Sequence, residues 1–103
     1  MRVVLTDFAR SQVRQTARYI MHEFGRKSRD KFLQEMHSIG KLLGDNPHMG
    51  AIEPLLVDLP SEYRSIVISK LNKVIYRILD DHIEVSDVWD VRRNPQTLVN
   101  QIK

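Results

Sequence analysis

Residues 63–95 read YRSIVISKLNKVIYRILDDHIEVSDVWDVRRNP, and the alternation within them predicts three short strands joined by two tight turns. In the first, 64–70, Ile66 and Ile68 share a face with Arg64 and Lys70, while Val67 lies between two serines on the other. Leu71-Asn72 supplies a turn, with Asn72 suited to a left-handed backbone. The second strand, 73–79, sets Val74, Tyr76 and Ile78 on one face and Lys73, Ile75, Arg77 and Leu79 on the other. Apolar groups on both faces place it at the centre of a sheet. Asp80-Asp81-His82 is the next turn. Ile83 and Val85 then alternate, but Val88 is out of phase, and a β-bulge near Ser86-Asp87 accounts for the shift.

Upstream, RVVL at 2–5 is β-branched and reads as a first strand. Thr6 is an N-cap residue, and Asp7 puts a negative charge at the positive end of a helix dipole. Ala9, Val13, Ala17, Ile20, Met21 and Phe24 recur at three- and four-residue spacing, one apolar face of a helix that Gly25 ends. Ser28 is the expected cap of a second helix, with Phe32, Met36, Ile39 and Leu43 facing the core. That helix stops near Gly44, ahead of Asp45-Asn46-Pro47. The short link at 25–27 makes the pair an antiparallel hairpin. Gly40 inside the second helix is explained by close helix–helix approach. Residues 45–62 form an irregular connection, and the tail from Gln96 to Lys103 reads as a helical turn or an extended arm.

One strand, a helical hairpin and a three-stranded antiparallel meander make an α+β fold, with the helices covering one sheet face. The 103 residues are expected to form a single domain. The absence of cysteine excludes disulfides and thiolate metal sites. The apolar run at the start is too short for a signal peptide, and none reaches membrane-spanning length, so a cytoplasmic protein is expected. The net charge of +3 is unevenly spread: residues 1–31 carry eight Lys/Arg against three acids, 32–62 one against five, and 63–103 seven against five. Basic ends around an acidic middle point to a polyanionic or acidic partner.

Cations recur along the strands at Arg64, Lys70, Lys73, Arg77, Arg92 and Arg93, and Arg10, Arg14, Arg18 and His22 form one stripe on the first helix. Like charges four apart slightly destabilise a helix, so the stripe is either a solvated face or a docking strip. Trp89 reads as buried packing or as a partner-facing anchor. His82 is a turn residue, His48 belongs to a loop, and His22 and His37 lack metal-ligand spacing. No metal or cofactor is expected.

The order strand, helical hairpin, Asn46-Pro47-His48-Met49-Gly50, Tyr63-Arg64, Val74-Ile75-Tyr76-Arg77-Ile78 and Arg92-Arg93-Asn94-Pro95 resembles the RelE/ParE toxin superfamily, on the ParE-like, plasmid-stabilisation branch. The resemblance implies a toxin encoded beside a cognate antitoxin that neutralises it. ParE-like members poison DNA gyrase; RelE-like members cut messenger RNA on the ribosome. Several nuclease-like relatives carry a histidine just before the terminal arginine pair, where this chain has Asp90. Arg64, Lys73, Arg77 and Arg92 are the candidate catalytic cations if it is a metal-independent nuclease. The partner-binding candidates are Arg10, Arg14, Arg18, Arg64, Lys70, Lys73, Arg77, Trp89, Arg92 and Arg93. A member that binds antitoxin but is no longer toxic is the remaining alternative.

Overall fold

The computed structural model describes residues 1–69, 71–91 and 95–102. In chain order the elements are β1 (Arg2–Leu5), α1 (Asp7–Phe24), α2 (Arg26–Asp45), β2 (Ala51–Ile52), a 3-10 turn at Pro54–Leu56, β3 (Arg64–Ile68), β4 (Asn72–Ile78), β5 (His82–Asp90) and α3 (Pro95–Ile102). They form one five-stranded sheet in the order β1-β5-β4-β3-β2, so β4 is central as its two apolar faces require. The meander β3–β4–β5 is antiparallel, whereas β1 lies parallel to β5. Ile75 is in register with Asp87 but Tyr76 with Val85, leaving Ser86 as the extra residue of a bulge. The bulge turns Val88 onto the same face as Ile83 and Val85 and sends Trp89 to the other.

Thr6 caps α1 as its hydroxyl oxygen accepts from the Ala9 N–H at 3.0 Å. The corner between the helices is a single residue. Gly25, at φ 93°, donates its N–H to the Met21 carbonyl and accepts from the Arg29 N–H with its own carbonyl. That backbone is open to glycine and strained for other residues. Ser28 therefore does not cap α2; the helix starts earlier, at Arg26, without a side-chain cap. Gly40 makes no close approach, since a Cβ there would meet nothing within 4 Å. Gly44 does: a Cβ would lie 2.7 Å from the Met1 carbonyl oxygen, beside β1.

The turn after β3 also differs from expectation. Ser69, not Asn72, takes the left-handed conformation (φ 49°), and Asn72 begins β4. The Ser69 hydroxyl donates to Glu35 of α2, tying this turn to the hairpin.

Two apolar clusters hold the layers together. Under the helices, Ala9, Phe32 and Leu43 pack on Val74, Tyr76, Ile83, Val85 and Val88. On the opposite face Leu56, Tyr63 and Leu98 cover Ile75 and Trp89. That face is covered in part by the 54–59 segment and α3. Phe24, expected in the helix-side core, is 67% exposed at the hairpin corner.

Candidate functional site

The cations of the meander fall on two faces. Arg64 is in register with Tyr76, on the helix side, while Lys73 and Arg77 alternate onto the other. Lys73 forms an ion pair with Glu53, whose side chain is fully buried, and this pair pins the 54–59 segment against the sheet. Among the described residues the second Glu53 carboxylate oxygen has no hydrogen-bond partner, so the lysine carries the charge compensation there.

Arg64 and Arg77 nevertheless reach one place. With His48, Ser61 and Glu62 they line a cleft of about 280 Å³ where the β3 and β4 ends meet the 46–50 loop. Arg64 donates to the Gly50 carbonyl at 2.7 Å and pairs with Glu62 at 3.2 Å. Arg77 is held by Glu84 at 3.0 Å, donates to the Ser61 hydroxyl at 3.0 Å and lies over the Tyr63 ring. The hydrogen bond from Arg77 to Glu84 stabilises the charged guanidinium, raising its pKa further above its ordinary value.

The floor of the loop is a tyrosine. The Tyr76 hydroxyl donates to the Pro47 carbonyl at 2.7 Å and accepts from the Gly50 N–H at 3.0 Å. Burial pushes its pKa up, against the smaller opposing effects of the Gly50 N–H and Arg64. A Cβ on Gly50 would sit 2.8 Å from that hydroxyl and 2.9 Å from the Ser65 carbonyl oxygen, so backbone and phenol meet only because the side chain is absent. The loop is thus fixed from beneath, with His48 and Met49 exposed at its tip.

A larger groove, about 610 Å³, runs between α1, α2 and the turn after β3. Its apolar lining includes Tyr19, Ile20, Phe24 and Leu71, with Lys31 at its edge. Tyr19 is 50% exposed and meets Phe24 edge to face at a centroid distance of 6.4 Å. Arg10, Arg14 and Arg18 stand exposed on α1. Arg10 reaches Asp7 at 3.9 Å on the surface, and among the described residues no acid lies within ion-pair distance of Arg14 or Arg18.

The candidates from the sequence therefore separate. Arg64 and Arg77 are brought together; Lys73 is engaged elsewhere. Trp89 is 1% exposed and belongs to the core beneath α3. Lys70, Arg92 and Arg93 lie outside the described residues. Sequence reasoning missed the acids that hold the cations, Glu53, Glu62 and Glu84. Only Glu84 carried a signal, being on the neighbouring strand in register with Arg77. It also missed the exposed Tyr19–Phe24 pair. Among the described residues no three His, Asp or Glu side chains sit together to hold a metal, and no helix is long and apolar enough to cross a membrane.

A family model described as the ParE toxin of the type II toxin–antitoxin system, parDE, matches residues 3–95. No curated protein matches the sequence significantly. Among solved structures, a chain of the chromosomal ParDE toxin–antitoxin system from P. aeruginosa superposes with a TM-score of 0.73 at 17% identity. The match covers 89% of this chain and 97% of that one, a likeness of fold.

Proposed function

Because the chain belongs to the ParE toxin family of type II toxin–antitoxin systems, we propose that it arrests growth by binding DNA gyrase rather than by chemistry of its own, and that a cognate antitoxin neutralises it. The observation that carries this reading is the state of the sheet cations. Arg64, Lys73 and Arg77 are each paired with an acid of the same chain, Glu62, Glu53 and Glu84. A nuclease stabilises developing charge on phosphate with cations aimed at it; cations already neutralised within the fold are poorly placed to do so. Asp90 stands where several nuclease-like relatives carry an imidazole, which supports the same conclusion.

The antitoxin's seat in this reading is the α1–α2 groove, with the arginine stripe on another side of α1 as a second point of contact. Exposed Tyr19 and Phe24 ask for apolar side chains and Lys31 for an acid in the groove, while Arg14 and Arg18 ask for acids where a bound segment passes around α1. A neutralising segment would be amphipathic and acidic.

A second reading, a ribosome-dependent messenger RNA endonuclease, is favoured by one feature: His48, Arg64 and Arg77 line the same cleft. Induced expression without the antitoxin, with DNA and protein synthesis pulse-labelled separately, distinguishes the two. DNA synthesis falling first, with a damage response, is the expected result. An early stop in protein synthesis with cut messages would transfer the assignment to the nuclease and to that cleft. Normal growth with soluble, folded protein would mean that toxicity has been lost.

A further inference from the structure

One side of the sheet ends in β1, which no other strand covers among the described residues. The parallel ladder fixes which of its backbone groups are already used. The Thr6 N–H donates to the Val85 carbonyl at 3.0 Å, and Leu5 is in register with Val85. Val4 and Thr6 therefore direct their backbone toward β5. Val3 and Leu5, which alternate with them, direct theirs outward. Among the described residues no hydrogen bond reaches those outward N–H and C=O groups.

An edge of this kind is a template for another strand. The edge is short, four residues, and Arg2 sets one charge at its start, but Val3, Val4 and Leu5 carry no proline, charge or bulge. We infer that β1 pairs antiparallel with β1 of a second copy, about a twofold axis at Val4. In that register Val3 faces Leu5 of the partner subunit and Val4 faces Val4 of the partner subunit. Val3 and Leu5 are the two residues with outward groups, so every outward N–H meets an outward carbonyl. An axis at Val3 would set Leu5 against Met1, and one at Leu5 would set Val3 against Asp7, both outside the strand. Arg2 falls opposite Thr6 of the partner subunit, so no like charges meet.

The neighbouring helix is shaped for the same approach. Gly44 faces β1 at the Met1 carbonyl. Gly40 lies one turn earlier on the same side of α2, and a Cβ there would meet nothing within 4 Å. A glycine inside a helix lowers stability, and within one chain no close neighbour requires this one. A second copy at the β1 edge would bring neighbours close to that side of α2.

The chain has no cysteine, which makes the test direct. Directly opposed, non-hydrogen-bonded residues of antiparallel strands have Cα atoms about 4.5 Å apart, within disulfide range. Val4→Cys should give a disulfide-linked dimer under mild oxidation at least about tenfold faster than Gln34→Cys, an exposed control on α2. The unmodified chain should gain mass toward a dimer by light scattering over a concentration series. Val4→Lys, which sets two lysines face to face, should stay monomeric with an unchanged circular dichroism spectrum. A chain that is monomeric throughout, with a Val4→Cys thiol that reacts with a small reagent but does not cross-link preferentially, would overturn the inference. So would a dimer that persists in Val4→Lys.

Discussion

At the scale of single residues, Arg64, Lys73 and Arg77, which read as tools in the sequence, are held by acids of the same chain. Lys73 is the clearest case, because its partner Glu53 is fully buried. Lys73→Met should destabilise the fold by about 3–5 kcal/mol, since it leaves an uncompensated charge inside. The double variant with Glu53→Gln should recover much of that loss in urea denaturation. A free catalytic lysine would give no such coupling. Tyr76 fastens the 46–50 loop in the same way. Tyr76→Phe removes the partner of both Gly50 N–H and Pro47 C=O, and should lower stability by about 1–3 kcal/mol. The pH dependence follows from its raised pKa. The native state holds the phenolic proton more firmly than the unfolded chain does. That stabilisation is fully present below the ordinary tyrosine value of about 10 and is lost as pH rises through the higher native value. The gap between Tyr76→Phe and the unmodified protein should therefore narrow in strong alkali, as unfolding curves at several pH values would show.

At the scale of elements, two glycines of the hairpin make opposite predictions. Gly25 at φ 93° is required by the one-residue corner, whereas Gly40 is an ordinary helix position with room for a methyl group. Gly40→Ala should stabilise the dilute, monomeric protein by about 0.5–1 kcal/mol, and Gly25→Ala should destabilise it; thermal melts would read both signs. The elements legible in the sequence were those with strong periodicity: both helices, the three strands of the meander and the bulge at Ser86, where the apolar phase slips. Three other features were not. β2 is only Ala51–Ile52, too short to show an alternation, and it forms because Gly50 lets the backbone pass the Tyr76 hydroxyl. α3 has Leu98, Val99 and Ile102 as its apolar side, a stripe too brief to be told from an arm. The parallel pairing of β1 with β5 joins segments far apart in the chain, and no local pattern records it.

At the scale of the whole molecule, the sequence located the charge but not its use. A basic residue announces its sign, while its counter-ion is set by tertiary neighbours such as Glu53, which comes from the irregular connection. Arg10, Arg14 and Arg18 lie on a helix face that the sequence shows, and their side chains remain exposed. Reversing them to glutamate should weaken the antitoxin complex most at low salt, with the gap closing as ionic strength rises, measured by titration calorimetry. An affinity unchanged at low salt would return the stripe to a solvated face. The parallel β1–β5 pair has a further bearing, on the order of events during synthesis. The helical hairpin can form as soon as residues up to 45 are available, but β1 waits for residues 82–85 before it has a partner strand. Non-local pairing of this kind is slow to form, because the chain between must be ordered first. The nascent chain thus carries an exposed hairpin well before it carries a closed sheet. A neutralising partner that recognises the hairpin could engage it while the rest of the chain is still being made, before a complete toxin exists.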